Sequence, residues 1–198
     1  MRAGGNILAL DIATRMGWAY GKPGELPRAG SVRLAPPGSG NGTIGRGLLR
    51  WMTDFLSVNK VDALYYEVPI DPRHMGGKTT FATARILLGL PFLVETIAEC
   101  RGLFYLREAR VQDVRKHFVG EARPKERKGA VLARCRQLGW KASDDNAGDA
   151  LALWSFACAI EAPGVAIATA PLFAPHQAFA SQRQDAGEVP LDGESATT

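Results

Sequence analysis

The stretch NILALDIATRMGWAYG, residues 6–21, decides the fold. Its first apolar run ends on Asp11, a tight turn follows at 14–16, and a second apolar run comes directly after the turn. Short apolar runs bounded by turn residues are typical of buried strands. The pattern predicts a strand over 6–12 paired with an antiparallel strand over 17–21. The first of these strands delivers a carboxylate at its tip.

The rest of the chain alternates between helix and strand patterns. Three leading antiparallel strands followed by such alternation predict an α/β fold with a mixed five-stranded sheet and helices on both faces. We expect a third strand at 27–34, a helix around 44–56, a strand at 61–69, a helix at 79–101 kinked near Pro91, a strand at 103–108, helices at 111–119 and 125–139, and a last helix capped by Ser143 or Asp144 that runs to about Ile160.

Composition is that of a globular protein, with 46% hydrophobic and 22% charged residues in a chain of 198. We expect one domain over 1–160 and a low-complexity, disordered tail over 161–198. No run of about 18 apolar residues and no signal-peptide layout is present, so we expect a cytoplasmic protein without a spanning helix. The three cysteines form no CxxC pair and are expected to be small core residues.

Charge is distributed unevenly along the chain. The net charge is +4, and the segment from Glu161 onward carries five acids and one base, a net of −4. Residues 1–160 therefore carry +8, because the two parts must sum to +4. A basic globular part favours a polyanionic partner such as a nucleic acid.

Carboxylates recur at positions where ligands gather. Glu67 ends the predicted strand VDALYYEVP as Asp11 ends the first, and strand ends are common ligand sites in sheets of this type. Asp149 lies on the last helix, on one face with Asn146 and Asp145, and it borders apolar residues. If Asp11, Glu67 and Asp149 converge, divalent cations with hard oxygen ligands would remove their mutual repulsion.

These motifs resemble those of the ribonuclease H-like superfamily and, more narrowly, of RuvC-type Holliday-junction resolvases. The resemblance rests on the order of LALDIATRMGWAYG, YYEVP and DDNAGDALALW, on TARILLG at 83–89, and on VRKHFVGEARPKERKGAV at 114–131. It covers about residues 6–160. It implies a ribonuclease H-like fold and a structure-selective endonuclease that resolves four-way DNA junctions with two Mg²⁺ or Mn²⁺ ions per active site.

The resemblance also implies roles for individual residues. Asp11, Glu67 and Asp149 would be metal ligands. The family's fourth acid or His corresponds to Asn146 here, which ligates only weakly, and Asp145 is slightly favoured over it as the fourth ligand. Lys128 aligns best with a lysine that would neutralise charge at the phosphate, with Lys125 as the competitor.

Further residues are candidates for DNA contact. The family places an aromatic wedge about three residues after the second acid, where this chain has Ile70, an apolar wedge without stacking. The full set of expected nucleic-acid-binding residues is Ile70, His74, Lys78, Arg115, Lys116, Arg123, Lys125, Arg127 and Lys128. Family members act as symmetric homodimers, and the 79–101 helix is the candidate interface, through Phe81, Leu87, Leu88 and Phe92.

Three other functions remain open. The run LDIATRMG also resembles the first phosphate motif of actin-like sugar kinases and ATPases, although about 160 ordered residues leave little room for their second domain. A DNA-binding module without catalysis would fit the Asn146 departure. A nuclease of the same superfamily that acts on flaps, duplex or RNA–DNA hybrids fits as well.

Overall fold

The structure, a computed structural model, describes residues 4–68, 80–120 and 127–168, with residues 127 and 128 described by backbone alone. Strands and helices follow one another in the predicted order. They are β1 (Ile7–Asp11), β2 (Arg15–Gly21), β3 (Arg28–Arg33), α1 (Asn41–Val58), β4 (Ala63–Glu67), α2 (Phe81–Cys100), β5 (Leu106–Ala109), α3 (Val111–Val119), α4 (Arg127–Gln137) and α5 (Asp145–Glu161).

The five strands form one mixed sheet in the order β3-β2-β1-β4-β5. Strands β1, β2 and β3 make the predicted antiparallel meander, and β1–β4 and β4–β5 pair in parallel. Parallel neighbours need long crossovers, which α1 and α2 supply. The predicted fold class, α/β with a mixed five-stranded sheet, is confirmed.

Helices cover both faces of the sheet. Odd-numbered residues of β1 and β4, such as Ile7 and Tyr65, lie in one buried cluster with α3, α4 and α5. Even-numbered residues, such as Leu8 and Leu64, lie in a second cluster with α1 and α2. Because side chains alternate between faces along a strand, the near-continuous apolar sequence of β1 follows from burial on both sides.

Most element boundaries differ from their predictions by one to three residues, and β2 begins at Arg15, within the turn expected at 14–16. The strand expected at 103–108 begins only at Leu106, because Leu103 is buried in the α1–α2 cluster from a loop position. The helix expected from Lys125 is described from Arg127, since residues 121–126 lie outside the described part. The tail prediction falls mainly on residues 169–198, which also lie outside it.

Helix α2 carries an unusually exposed apolar surface. Phe81 is 80% exposed and Phe92 70% exposed, so Phe81 is not a core residue. Helix α2 is long and apolar enough to cross a membrane, with a mean hydropathy of 1.6. Core helices of soluble proteins also meet this criterion, and 28% of the apolar part of α2 is buried in the structure. Cys135 and Cys158 are buried as expected, but Cys100 at the end of α2 is exposed.

Candidate active site

Asp11 and Glu67 lie side by side at one edge of the sheet. Leu10 pairs with Tyr66 in the parallel β1–β4 ladder, so Asp11 and Glu67 follow at the next position on both strands. Neighbouring strands are about 4.8 Å apart. Both residues continue the odd-numbered face that α5 covers. The two predicted strand-end acids are therefore brought together beneath the last helix.

Gly17 allows α5 to approach this edge closely. Gly17 pairs with Asp11 across the β1–β2 ladder. A Cβ atom at Gly17 would lie 1.9 Å from the carbonyl oxygen of Asn146. Only a residue without a side chain permits this contact, so the first turn of α5, one turn before Asp149, lies directly over the strand pair that carries Asp11.

The start of α5 is fixed by a cluster of three polar side chains. Asp144 is the N-cap, and its Oδ1 accepts from the Ala147 N–H at 3.0 Å. Its Oδ2 accepts from Ser31 Oγ at 2.6 Å and from Arg15, 2.6 Å from Nη2 and 2.9 Å from Nε. Asp144, one of the two predicted caps, thus ties the helix to β2 and β3, and these bonds hold its carboxyl pKa below the usual range.

The other end of α5 is held as well. Glu161 accepts hydrogen bonds from the hydroxyl groups of Tyr65 and Tyr105, the latter at 2.9 Å. Between the two anchors, ten residues of the helix are buried. Asp149 is therefore presented by an element that is attached to the sheet at both ends.

Electrostatic repulsion links the three predicted ligands. Burial, followed by the charge of Asp149, raises the pKa of Asp11 to about 7. Burial, followed by the charges of Asp11 and Asp149, raises the pKa of Glu67 to about 8. Acids that are partly desolvated and face one another resist ionisation. The arrangement is one that a cation would stabilise.

The donor set suits a hard divalent cation, although the ligand shell is not closed. Carboxylate oxygens from Asp11, Glu67 and Asp149 are ligands that Mg²⁺ and Mn²⁺ prefer. Within the described residues, no three His, Cys, Asp or Glu side chains are already grouped closely enough to hold a metal ion. The charge of Asp149 raises the pKa of Asp11 and of Glu67, and that of Asp11 raises the pKa of Glu67, so the three carboxylates fit a cation by chemistry and charge.

The fourth acidic position stays a prediction. Asp145 and Asn146 both lie in the first turn of α5, half-buried, and Asp145 and Asp149 each make interactions of their own. Asp144 also raises the pKa of Asp11 by its charge. The sequence pattern marks Asp144 only as a cap, so its electrostatic part in the site was missed.

One predicted basic residue lies close enough to Asp11 and Glu67 to influence them electrostatically. The charge of Arg115, half-buried on α3, opposes burial and lowers the pKa of both Asp11 and Glu67. Lys116, next to it, is exposed. The remaining predicted contacts lie outside the described residues, or have side chains that do: Ile70, His74, Lys78, Arg123, Lys125, Arg127 and Lys128.

Arg15, Ser31 and Gly17 were not predicted as parts of the site. Gly17 was recognised only as part of the first motif, and its spacing from Asp11 could have indicated a close approach. Arg15 and Ser31 act through Asp144, more than 100 residues away. No local pattern in the sequence indicates that contact.

Comparison with known proteins identifies the fold. No protein-family model and no curated protein matches the chain. Among solved structures, Thermus thermophilus RuvC in complex with a Holliday junction substrate is similar at a TM-score of 0.61 with 17% identity, over 79% of this chain and 95% of that one. A further Thermus thermophilus RuvC structure gives 0.55 and 19%, over 82% and 98%. The expected ribonuclease H-like fold, in its RuvC form, is confirmed.

Proposed function

We propose that this chain is a structure-selective endonuclease that resolves four-way DNA junctions by metal-dependent phosphodiester hydrolysis. The observation that carries the proposal is the placement of Asp11 and Glu67 side by side on neighbouring strand ends, where the charge of Asp149 raises the pKa of both and that of Asp11 raises the pKa of Glu67. The fold it shares with a RuvC that is described with a Holliday junction supports the choice of substrate. The net charge of +8 over residues 1–160 favours a polyanion.

The proposed site would hold two Mg²⁺ or Mn²⁺ ions through Asp11, Glu67 and Asp149, with Asp145 or Asn146 as the fourth ligand. When bound, the ions supply an activated water and charge stabilisation for the leaving 3′ oxygen. Asp11 and Glu67 are partly desolvated at the ends of β1 and β4, and α5 would present Asp149 to them. The Arg115 guanidinium adds positive charge beside them, and Lys128 is proposed to face the phosphoryl oxygens.

The proposed assembly is a cytoplasmic, DNA-associated homodimer. A four-way junction offers two equivalent strands, and two sites related by a twofold axis match that symmetry. The exposed phenylalanines of α2, Phe81 and Phe92, support this helix as the interface. Single-domain organisation over 1–160, with a separate tail over 161–198, belongs to the same proposal.

A junction-binding module with impaired catalysis is the second candidate. Asn146 occupies the position of the family's fourth ligand, and the nearby Asp144 carboxylate is already bonded to Arg15 and Ser31. Because Asn146 ligates weakly and Asp144 is held by these bonds, Asp145 is the acid that would have to complete the metal site. A nuclease that prefers flaps, duplex or RNA–DNA hybrids differs from the first proposal only in substrate.

Cleavage of a substrate panel tests the proposal. The protein is incubated with a labelled four-way junction, a flap, a duplex and an RNA–DNA hybrid, each with Mg²⁺, with Mn²⁺ and with chelator. We expect metal-dependent, symmetric cuts in the junction. Binding of the junction without cleavage by either ion would establish the module instead, and faster cleavage of another substrate would replace the junction. The variant Asp11→Asn is the control for contaminating nuclease.

A further inference from the structure

A basic groove lies at the outer edge of the sheet, away from the acidic pocket. It is formed by the end of β3, the segment after it and one side of α1, and it encloses about 600 Å³. Three arginines and a tryptophan are among the residues that line it: Arg33, Arg46, Arg50 and Trp51. The sequence motifs did not indicate this surface.

The floor of the groove is rigid. Gly47 brings α1 into backbone contact with the segment after β3, since a Cβ at this position would lie 1.8 Å from the Leu34 carbonyl oxygen. Trp51 stacks on Phe55 with ring centroids 5.0 Å apart, and its centroid lies 6.2 Å from that of Trp18. The aromatic wall is therefore fixed, and the arginine side chains extend from a firm base.

The positive charge of the groove is only partly offset by Asp54, the acid among its lining residues. Arg33 and Arg46 are exposed, and in the part of the chain that the structure describes no carboxylate forms an ion pair with either. Arg50 lies 3.9 Å from Asp54, with side chains 85% and 71% exposed. Such surface pairs are weak, so Arg50 also remains available to an anion.

The groove opens at the same end of the sheet as the acids. Across the sheet, Asp11 of β1 pairs with Gly17 of β2, and Gly17 pairs with Ser31 of β3. Two residues beyond Ser31, at the same end of the sheet, Arg33 of β3 pairs with Arg15 of β2. The lateral step from β1 to β3 spans two strand spacings, about 10 Å. The groove lies on the face of the sheet that α1 covers, whereas Asp11 and Glu67 continue the face that α5 covers, so a bound DNA strand would pass round the β3 edge between the two.

We propose that this groove binds the phosphodiester backbone of a DNA arm that passes round the β3 edge of the sheet from the proposed cleavage site. The proposal rests on the nuclease function above and adds a second contact surface to it. Arginines bind phosphate oxygens through paired N–H donors, and the fixed Trp51 face provides an apolar wall for sugars or an unstacked base. The contact is independent of sequence, because phosphates carry no base information.

The salt dependence of DNA binding tests the groove. In the cleavage-deficient Asp11→Asn background, Kd for a four-way junction and for a plain duplex is measured over a range of salt concentrations. The triple variant R33A/R46A/R50A should lower the slope of log K against log salt by about 2–3, at about 0.9 per lost phosphate contact. The variant R33K/R46K/R50K, which keeps the charges, should retain the slope.

Three basic residues at the opposite end of the sheet provide a control in which the same number of positive charges is removed. Lys22, Lys60 and Arg101 are exposed there, outside the proposed site, and K22A/K60A/R101A should keep a slope close to that of the parent. Equal slopes for the two alanine triples on both DNAs would overturn the groove proposal. Because the groove arginines are exposed, their replacement should leave the melting temperature unchanged.

The two proposals can fail separately. Junction cleavage is measured in parallel with the protein that retains Asp11. Absence of cleavage together with a lower slope for R33A/R46A/R50A would reject the nuclease function and keep the groove as a DNA-binding surface. Cleavage by the parent, with no effect of the three arginines on binding, would reject the groove alone.

Discussion

At the scale of single residues, Asp11 and Glu67 are acids whose ionisation opposes folding. Their pKa values of about 7 and about 8 lie above the ordinary values of 3.8 and 4.5. Protonation of the two acids therefore stabilises the folded state, and this stabilisation is fully present below pH 3.8. It is lost as pH rises through about 8. Arg115 offsets part of the repulsion.

This repulsion gives a pH prediction for the metal-free protein. Relative to the variant D11N/E67Q, which lacks both charges, the parent should lose up to about 6 kcal/mol of unfolding free energy between about pH 5 and about pH 9. Urea unfolding of both proteins with chelator, at a series of pH values, measures the difference. A parallel pH dependence in the two proteins would show that the carboxylates are solvated and independent.

Divalent ions should reverse the loss. At about 100 times its Kd, Mg²⁺ should stabilise the parent by about 2.7 kcal/mol, and the effect should grow with pH because protons compete with the cation for Asp11 and Glu67. Thermal melts with and without Mg²⁺ provide this readout independently of cleavage. An equal rise in melting temperature with Mg²⁺ in D11N/E67Q would show that the ion binds at a site other than Asp11 and Glu67.

Each of the three acids should also be required for chemistry. Asp11→Asn, Glu67→Gln and Asp149→Asn should each slow junction cutting by more than about 100-fold, and junction binding should persist because the basic surface is unchanged. Single-turnover cleavage and gel-shift assays separate the two effects. Cutting at the parent rate by any one variant would remove that residue from the site.

At the scale of secondary-structure elements, the position of α5 decides whether the three acids meet. Its first turn lies against Gly17, its cap is held by Arg15 and Ser31, and its last residue is bonded to Tyr65 and Tyr105. An error of one residue in this register would rotate Asp149 by about 100° around the helix axis. Packing over the whole length of α5 therefore controls the geometry of one side chain.

Gly17→Ala tests this dependence. The added methyl group would lie 1.9 Å from the Asn146 carbonyl oxygen, and this backbone atom cannot move away as a flexible side chain would. We therefore expect the free energy of unfolding to fall by about 1–3 kcal/mol. We also expect Mg²⁺ to stabilise this variant less than it stabilises the parent. The matched control is Gly89→Ala on α2, where a Cβ meets nothing within 4 Å and helix propensity favours alanine by about 0.5–1 kcal/mol. If Mg²⁺ stabilised Gly17→Ala as much as the parent, the close packing of α5 against Gly17 would not be needed for the metal site.

The elements, and two strand-end acids, could be predicted because their causes are local. Short, near-continuous apolar runs indicate β1 and β4, and each run ends directly on its carboxylate, Asp11 or Glu67. The bonds from Arg15 and Ser31 to Asp144 and the arginine groove could not be predicted. They depend on which strands become neighbours and on how closely α1 and α5 pack, and these are tertiary properties that no short window of sequence contains.

At the scale of the whole molecule, the two sides of α2 differ sharply. Val94 and Ala98 are fully buried against α1 and the sheet, whereas Phe81 and Phe92 are largely exposed. An apolar groove between α1 and α2, of about 260 Å³, continues this surface. Large exposed apolar patches mark association surfaces, in agreement with the proposed homodimer.

Phe92→Glu should weaken that dimer. Each buried phenylalanine contributes about 1.5–3 kcal/mol, and a twofold interface loses it twice, so dissociation should rise by at least about 100-fold. Sedimentation velocity over a concentration series measures the change. Phe104→Glu, 74% exposed outside α2, should leave the association state unaltered. A parent that stays monomeric at all concentrations would contradict the homodimer.

The double attachment of α5 also limits how the gene can vary in length. Insertions or deletions between Asp144 and Glu161 would break one anchor or the other, because each tether fits a single spacing. In the loop before the helix, Leu138 and Trp140 are buried in the core, whereas Lys141 and Ser143 are exposed, and residues added at 141–143 would be absorbed without displacing the acid. A library of single-codon insertions, selected for stable expression, should therefore show a sharp boundary of tolerance at Asp144.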